Sequence, residues 1–313
     1  MAFVRVPGND VPDGAVEHWL EGRGGVKVRV MTAPATASPP RGSVIVAPGR
    51  TEFIEKYFEV IRELQGRGFA VFCIDWRGQG LSGREVQNGL KGHMVSFDDA
   101  VNDLSTALKL LTDTLPRPLI GLAHSMGGAI TLRALQTRRI ELDAAAFSAP
   151  MWGVAGLNAT AKKYVRFMSS LGAGAQFAPR VETRWKRETF KRNPVTHDKE
   201  RHDRGQGLIA EEPRLALAGP TIGWVAAAAD TTESFLQPAG LSHIRIPILI
   251  ASAGEEQLVD NASHDAVAAL LPDARHITID GAKHEILMET DDLRAQFWAA
   301  FDQLAERVAP VHA

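Results

Sequence analysis

The chain has 313 residues, of which 45% are hydrophobic and 23% are charged, as in an ordinary soluble globular protein. Its formal net charge of −2 excludes a global attraction to nucleic acid or to an anionic membrane. The single cysteine, Cys73, excludes an internal disulfide and fits a reducing compartment. The N-terminus lacks the pattern of a signal peptide, and no window approaches the roughly 18 uninterrupted apolar residues of a membrane span, so we expect a cytoplasmic location with at most peripheral membrane contact.

Short apolar runs alternate with amphipathic helical windows over the first 150 residues. The pattern predicts strands at 26–31, 43–47, 69–75, 118–124 and 142–149, and helices at 54–65, 97–115 and 126–139. This alternation is typical of a parallel sheet that is covered by helices on both faces.

The alternation stops between residue 151 and about residue 240. That segment has helical windows, many Arg and Lys residues and no convincing strand. The alternation resumes with strands at 247–253 and 276–280 and helices at 261–271 and 290–308. We therefore predict one α/β domain, formed by residues 1–150 and 241–313, with residues 151–240 inserted as a helical cap.

Ser125 lies between a predicted strand, PLIGLAH, and a predicted helix that begins MGG. A nucleophile elbow requires this arrangement, with small residues two positions before and two positions after the serine. Those positions hold Ala123 and Gly127, so the motif is A-H-S-M-G rather than the commoner G-x-S-x-G. The alternative interpretation is that Ser125 only caps the helix.

The elbow requires an acid and a histidine later in the chain, in that order and at the ends of later strands. His284, in GAKHE, follows the predicted strand HITID, and an acidic cluster at 254–260 follows PILIASA. A neutral imidazole accepts the serine proton and returns it to the leaving group, while the carboxylate fixes the tautomer. These three elements predict a serine hydrolase.

Stabilisation of the tetrahedral oxyanion requires two backbone N–H donors. We predict the N–H of Met126, directly after the serine, and the N–H of Arg50 in the loop APGRTEF, where Gly49 lets the backbone turn in. The alternative for the Arg50 side chain is a solvated loop cation, which still leaves its amide free.

Two further motifs resemble cofactor or metal sites, and we assign neither function. GQGLSG (78–83) matches G-x-G-x-x-G, but the residues after it do not form a helical pattern as a dinucleotide site requires. The run NPVTHDKERHDR, with His197, Asp198, Glu200 and His202, matches no trusted zinc spacing and is interpreted as a solvated loop. We expect no cofactor and no metal.

Several segments together resemble the bacterial lysophospholipase and monoacylglycerol lipase branch, which is serine aminopeptidase-like, of the α/β-hydrolase superfamily. The resemblance covers about two-thirds of the chain and implies the α/β-hydrolase fold. The matching segments are APGRTEFIEKYFEVIRELQGRGFAVFCIDWRGQGLSGR, GLAHSMGGAI, GEEQLVDN and GAKHEILMET.

The resemblance implies a role for each motif residue. The nucleophile of the H-S-M-G-G elbow corresponds to Ser125 and the base of GAKHE corresponds to His284. The family's His-Gly pair before the first oxyanion donor is replaced by Pro48-Gly49, so that donor corresponds to Arg50. In the acid loop Glu256 stands where the family usually has Asp, and Asp260 is the second candidate.

The predicted cap determines the substrate. We predict that Gly49, His124 and Trp152 contact the substrate and that Trp152 lines the entrance of an apolar slot for one acyl chain. The alternative is that the cap tryptophans pack the cap onto the core. Between residues 180 and 204 there are nine basic and five acidic residues, which fits a phosphate head group, an anionic membrane surface or an ordinary solvated surface.

The leading hypothesis is an esterase that hydrolyses a single-chain lipid, either a lysophospholipid or a monoacylglycerol, through an acyl-enzyme. The first alternative is a general carboxylesterase or a peptidase-like hydrolase of small substrates. The second, from another class, is a non-catalytic binding protein with the hydrolase fold, against which the intact set of Ser125, Glu256 and His284 argues. The oligomeric state does not follow from the sequence.

Overall fold

A central sheet of eight strands forms the middle of the molecule. The computed structural model describes residues 3–237 and 240–311. The sheet order is β1-β2-β4-β3-β5-β6-β7-β8. The strands are β1 (Val16–Glu21), β2 (Lys27–Ala33), β3 (Gly42–Ala47), β4 (Phe69–Asp75), β5 (Leu119–His124), β6 (Ala144–Ser148), β7 (Ile248–Ala253) and β8 (Ala274–Ile279).

The sheet is parallel from β4 to β8, whereas β1 and β2 pair antiparallel at one edge. The two central strands β3 and β5 are adjacent, with Ala47 opposite Ala123. Because β3 and β5 run parallel, the loop after β3 and the turn after β5 emerge at the same edge of the sheet. Residues 48–53 and Ser125 are therefore brought together.

Helices cover both faces of the sheet, which confirms the predicted α/β architecture. Outside the segment between β6 and β7, the α-helices of the described residues are α1 (Phe58–Gly66), α2 (Phe97–Leu110), α3 (Met126–Gln136), α7 (Asn261–Ala268) and α8 (Asp291–Glu306). Buried apolar side chains of α1 and α8 form one core with one sheet face, while those of α2 and α3 form a second core on the other face. This burial is the main stabilising contribution to the fold.

The segment between β6 and β7 is called the inserted segment below, and the rest of the chain is called the sheet domain. The described residues of the inserted segment form three α-helices, α4 (Ala159–Ser170), α5 (Lys199–Glu211) and α6 (Ile222–Phe235). Within its described part, 151–237 and 240, this segment contributes no strand to the sheet. Helix α6 packs on α4 and also on the main core, where the Trp224 ring lies 5.7 Å from that of Phe97. The division at residues 150 and 240 stays a prediction, since α6 shares its apolar core with the sheet domain.

The secondary structure differs from the sequence prediction in several places. Strand β1 was not predicted, and its half-exposed residues show that it is an edge strand. The helix predicted at 97–115 ends at Leu110, and a short 3-10 turn follows at Thr112–Thr114. The run 193–204 is not simply a solvated loop, because α5 begins at Lys199 and buries His202.

None of the helices within residues 3–237 and 240–311 combines the length and the apolar character that crossing a bilayer requires.

Candidate active site

Ser125 occupies a strained turn between β5 and α3. Its backbone angles are φ 49° and ψ −118°, a conformation that a non-glycine residue adopts at an energetic cost. A side chain at Gly127 would collide with the carbonyl oxygens of Ala47 and Pro48, so this position requires glycine. The Ser125 hydroxyl forms no cap hydrogen bond with α3. The turn instead presents the hydroxyl to His284.

His284 lies between Ser125 and Glu256. Its Nε2 is 2.9 Å from the Ser125 Oγ, and its Nδ1 is 2.7 Å from Oε2 of Glu256. The His284 and Glu256 side chains are 5% and 3% exposed, so water screens this contact little. With Glu256 ionised, Nδ1–H donates to the carboxylate and Nε2 is left to accept the serine proton.

Backbone amides hold the Glu256 carboxylate in place. Its Oε1 accepts hydrogen bonds from the next three backbone N–H groups, those of Gln257, Leu258 and Val259. Burial favours the neutral acid, but the hydrogen bond to His284 and these amides outweigh burial and lower the pKa of Glu256. The carboxylate is therefore ionised at neutral pH.

Asp260, the second candidate for the acid, lies elsewhere. Its exposed side chain caps α7 and accepts the backbone N–H of Ala262 at 3.0 Å. Within the described residues, Asp260 forms no hydrogen bond or ion pair with His284. The Nδ1 of His284 is bonded to Glu256 instead.

The backbone N–H groups of Arg50 and Met126 donate to no acceptor within the described parts of the chain. Met126 is fully buried, and an unpaired buried amide is costly unless a ligand accepts it. Met126 directly follows Ser125, and Gly49, the residue before Arg50, lies so close to Ser125 that a Cβ added there would be 3.1 Å from the Ser125 Cβ. This geometry suits an oxyanion near the serine.

Side chains that sequence reasoning did not identify fix the loop that contains Arg50. Trp76 Nε1 donates to the carbonyl of Pro48 at 2.8 Å, and Gln79 Nε2 donates to the carbonyl of Gly49 at 2.7 Å. The N–H of Gly49 donates to Oε2 of Glu52 at 2.5 Å. The one feature of the sequence that could have indicated this support is Glu52, an acidic residue that follows Gly49 and Arg50 closely.

Glu52 is buried, and its charge is balanced by neighbours. Lys56 Nζ lies 2.9 Å from its Oε1, and the Tyr57 hydroxyl donates to its Oε2 at 2.7 Å. Burial opposes ionisation, but Lys56, His124 and the Tyr57 hydroxyl together lower the pKa of Glu52 to about 2. Lys56 also pairs with Glu285, the residue after His284, at 2.6 Å. One buried ion network therefore links the Arg50 loop to the His284 loop.

The Arg50 side chain is not the solvated loop cation that was the alternative interpretation. Its Nη2 donates to the carbonyl of Ala218 at 2.6 Å, and its Cζ lies 5.4 Å from the ring centroid of Trp224. Burial lowers the pKa of Arg50 to about 10, and its Nε is buried without a partner. The side chain therefore reaches Ala218 and Trp224 of the inserted segment.

His124 and Gly49 were predicted to contact the substrate. The His124 ring lies 4.8 Å from that of His284, and its Nδ1–H donates to the carbonyl of Ser148 at 2.9 Å. Burial lowers the pKa of His124, so the imidazole is neutral at pH 7. Both backbone polar groups of Gly49 are already bonded within the protein. A substrate contact of either residue stays a prediction.

Trp152 was predicted to line the entrance of an acyl slot, and that prediction is wrong. The side chain is 2% exposed, and its Nε1 donates to the carbonyl of Gly128 at 3.3 Å. Its ring packs against those of Phe147 and His264, at centroid distances of 5.0 and 5.8 Å. The chain turns inward after β6, so Trp152 fills the core behind α3, as the packing alternative described.

The two motifs without an assigned function have structural partners. In the segment 78–83, Gly78 and Gly80 have φ of 80° and 55°, and a side chain at Gly80 would collide with the Asp75 carboxylate. Asp198 caps α5, and His197 Nδ1 contacts Oε1 of Glu289 at 2.9 Å. The glycine motif therefore forms a tight turn beside Asp75, and the histidine-containing run forms the start of α5 and a contact with Glu289.

A cavity of about 530 Å³ lies between the inserted segment and the sheet domain. Thr51, which follows Arg50, and Glu285, which follows His284, belong to its wall. The inserted segment contributes Trp185 and several charged side chains from 182–192. The cavity therefore borders the loop with Arg50, a predicted oxyanion donor, and the loop with His284, the predicted general base.

The sheet topology and the strained strand-to-helix turn at Ser125 are those of an α/β-hydrolase. The family model of serine aminopeptidases, S33, matches residues 38–291. The chain belongs to this family, which confirms the branch that the motifs indicated.

Two curated relatives and one solved structure are similar to this chain over most of their length. Lysophospholipase L2 of Escherichia coli K12 is 35% identical over 269 residues, which are 80% of this chain and 76% of that protein. The probable lysophospholipase L2 of Haemophilus influenzae is 29% identical over 278 residues, 88% and 87% of the two chains. A soluble variant of monoglyceride lipase from Saccharomyces cerevisiae has a TM-score of 0.74 at 16% identity, over 98% and 99% of the two chains. This last likeness shows the shared fold.

Proposed function

We propose that the protein is a serine ester hydrolase in which Ser125 is the nucleophile, His284 the general base and Glu256 the acid. The observation that carries this proposal is the hydrogen-bonded series from Ser125 Oγ through both ring nitrogens of His284 to Glu256. Nucleophilic catalysis by serine requires a base within hydrogen-bond reach that a third group orients. A non-catalytic binding protein has no need of this arrangement.

In the proposed mechanism Ser125 Oγ attacks the acyl carbonyl carbon while Nε2 of His284 takes the hydroxyl proton. The carbonyl oxygen becomes an oxyanion that accepts hydrogen bonds from the N–H groups of Arg50 and Met126. The intermediate collapses, the C–O bond to the alcohol breaks, and His284 returns the proton to the leaving oxygen. Water then repeats the sequence on the acyl-enzyme and releases the carboxylic acid.

The substrate class we propose is a single-chain lipid ester. The support comes from the curated relatives, which are named lysophospholipases, and from the monoglyceride lipase that shares the fold. The alternative of a small-ester or peptide-like substrate follows from the serine aminopeptidase family name. Each acyl CH₂ that is buried contributes up to about 0.8 kcal/mol, so chain length separates the two substrate classes.

We also propose a peripheral contact with membranes and a cytoplasmic location. Tyr164 and Phe167 of α4 and Leu171, directly after its end, are exposed at helical spacing, with exposed fractions of 45%, 61% and 65%. Such an apolar stripe beside lysines suits the interface of a lipid surface.

The cytoplasmic location is supported by the sole cysteine, Cys73, which is a free and buried thiol. Co-sedimentation with vesicles and cell fractionation test these two points.

A series of esters with one common leaving group and acyl chains of increasing length tests the proposed function. For the wild-type protein kcat/KM should rise several-fold per methylene and then level off. Ser125→Ala should be inactive on every ester of the series. A profile that peaks at acetate or butyrate would favour the small-ester alternative.

A further inference from the structure

The cavity beside the active site has an excess of positive charge. Its wall contains six Lys or Arg side chains and three Glu side chains. Lys56 and Arg201 are paired with buried or partly buried carboxylates, and Lys186 lies 3.6 Å from Glu182. The remaining cations of the wall, Arg184, Arg187 and Arg192, form no ion pair with any carboxylate in the described ranges 3–237 and 240–311. Three exposed arginines of the wall therefore lack a counter-ion, against one wall carboxylate without an ion pair among the described residues, Glu188.

The cavity lies next to the two loops that contain Arg50 and His284. Thr51 and Glu285 are one residue away from Arg50 and His284, and consecutive Cα atoms are about 3.8 Å apart. If the ester carbonyl of a substrate lies at Ser125, near Arg50 and His284, the groups attached to that carbonyl are only a few bonds away from the cavity wall. The wall includes the three unpaired arginines of the inserted segment.

Arg50 adds another cation behind the same wall. Its Nη2 donates to the carbonyl of Ala218, which belongs to the cavity lining. The guanidinium is neutralised by no carboxylate among the described residues, and its Nε has no partner. A cation removed from water in this way is stabilised by a nearby anion. The region therefore favours a ligand that brings negative charge.

We propose that this cavity binds the phosphodiester of a lysophospholipid head group and so selects lysophospholipids over monoacylglycerols. The inference rests on the proposed function, because it assigns the head-group side of the same ester substrate. Planar guanidinium groups form strong charge-assisted hydrogen bonds with phosphate oxygens. A monoacylglycerol has no anion and leaves these cations without a counter-ion.

Two substrates with the same octanoyl ester test the proposal, 1-octanoylglycerol and the 1-octanoyl lysophospholipid with a glycerophosphate head group. Both are assayed below their micelle-forming concentrations, so that attraction to a lipid surface does not contribute. The test variant is R184Q/R187Q/R192Q. The matched control, K109Q/R139Q/R245Q, removes three exposed cations that lie outside the cavity lining.

The ratio of kcat/KM for the lysophospholipid to that for octanoylglycerol should fall about tenfold or more in the test variant, since loss of one charge-assisted hydrogen bond already has this effect. Activity on octanoylglycerol should stay unchanged, which also shows that the variant is folded. The control variant should keep the wild-type ratio.

Two results would overturn the proposal while leaving the esterase function intact. One is an equal loss of activity on both substrates in the test variant, and the other is an unchanged ratio. If the ratio is unchanged, inhibition of the wild-type protein by inorganic phosphate would assign the cations to a free anion, and a loss of vesicle binding in the variant would assign them to surface attraction. A wild-type protein that hydrolyses neither substrate would instead refute the proposed function.

Discussion

Oε2 of Glu256 lies 2.7 Å from Nδ1 of His284, and Oε1 of the same carboxylate accepts the backbone N–H groups of the three following residues. The carboxylate thus has both oxygens fixed, one by the base and one by its own loop. This arrangement distinguishes Glu256 from Asp260, whose carboxylate caps a helix.

Glu256→Gln should lower kcat on the order of 10⁴-fold, because the amide stabilises the wrong tautomer of His284 and no longer stabilises the imidazolium. Asp260→Asn should keep kcat within a few-fold, since asparagine also caps helices well. Steady-state kinetics on one ester checks both variants. A larger loss in Asp260→Asn than in Glu256→Gln would assign the acid to Asp260.

The central sheet and the positions of the predicted catalytic residues could be predicted because they rest on local patterns. Apolar runs mark β3, β4, β5 and β7, and the small residues around Ser125 mark the turn. Glu256 and His284 follow later strands at the same sheet edge, so their order in the chain was sufficient to bring them near Ser125.

The environment of long side chains could not be predicted in this way. Trp152 and Arg50 lie in loops, and the sequence gives no direction for a loop side chain. Trp152 turns into the core behind α3, and Arg50 extends beneath the inserted segment to Ala218. Both outcomes depend on how the inserted segment packs on the sheet domain, which is a long-range property of the chain.

Glu52→Gln should lower kcat by about tenfold to a hundredfold with little change in KM, because Glu52 holds the N–H of Gly49 and so orients the next amide, that of Arg50. The expected loss approaches that for one oxyanion donor, about a hundredfold or more. The matched control is Glu285→Gln, which removes the other carboxylate of Lys56 but leaves the Gly49 contact. Equal losses of kcat in both variants would contradict a specific role for Glu52.

Trp152→Ala should lower the free energy of unfolding by about 3–5 kcal/mol, as expected when a large buried aromatic residue is removed. The indole is 2% exposed and contacts Phe147 and His264, so the loss is one of packing. Chemical denaturation measures the change, with Trp152→Phe as the milder control. A stable variant with a selective loss of activity on long-chain esters would restore the original prediction of an acyl-slot residue.

His264 should make the protein less stable in mild acid. Burial lowers the pKa of His264 from 6.5 to about 4, so between these pH values the unfolded chain binds a proton that the folded protein does not. Stability is therefore lost as the pH falls through this window, by up to about 3 kcal/mol. Urea unfolding at about pH 7 and about pH 4.5 should show a larger loss for the wild-type protein than for His264→Gln. Equal losses in the two proteins would contradict this role.

The role of Ser125 as nucleophile is tested most directly by an active-site fluorophosphonate followed by peptide mass mapping. We expect one covalent label per chain, on Ser125, and no label on Ser125→Ala. The change removes one oxygen that forms no bond with α3, so the variant should keep wild-type stability while kcat falls on the order of a millionfold. A label on another residue, or a folded Ser125→Ala protein with activity within about tenfold of wild type, would contradict the proposed mechanism.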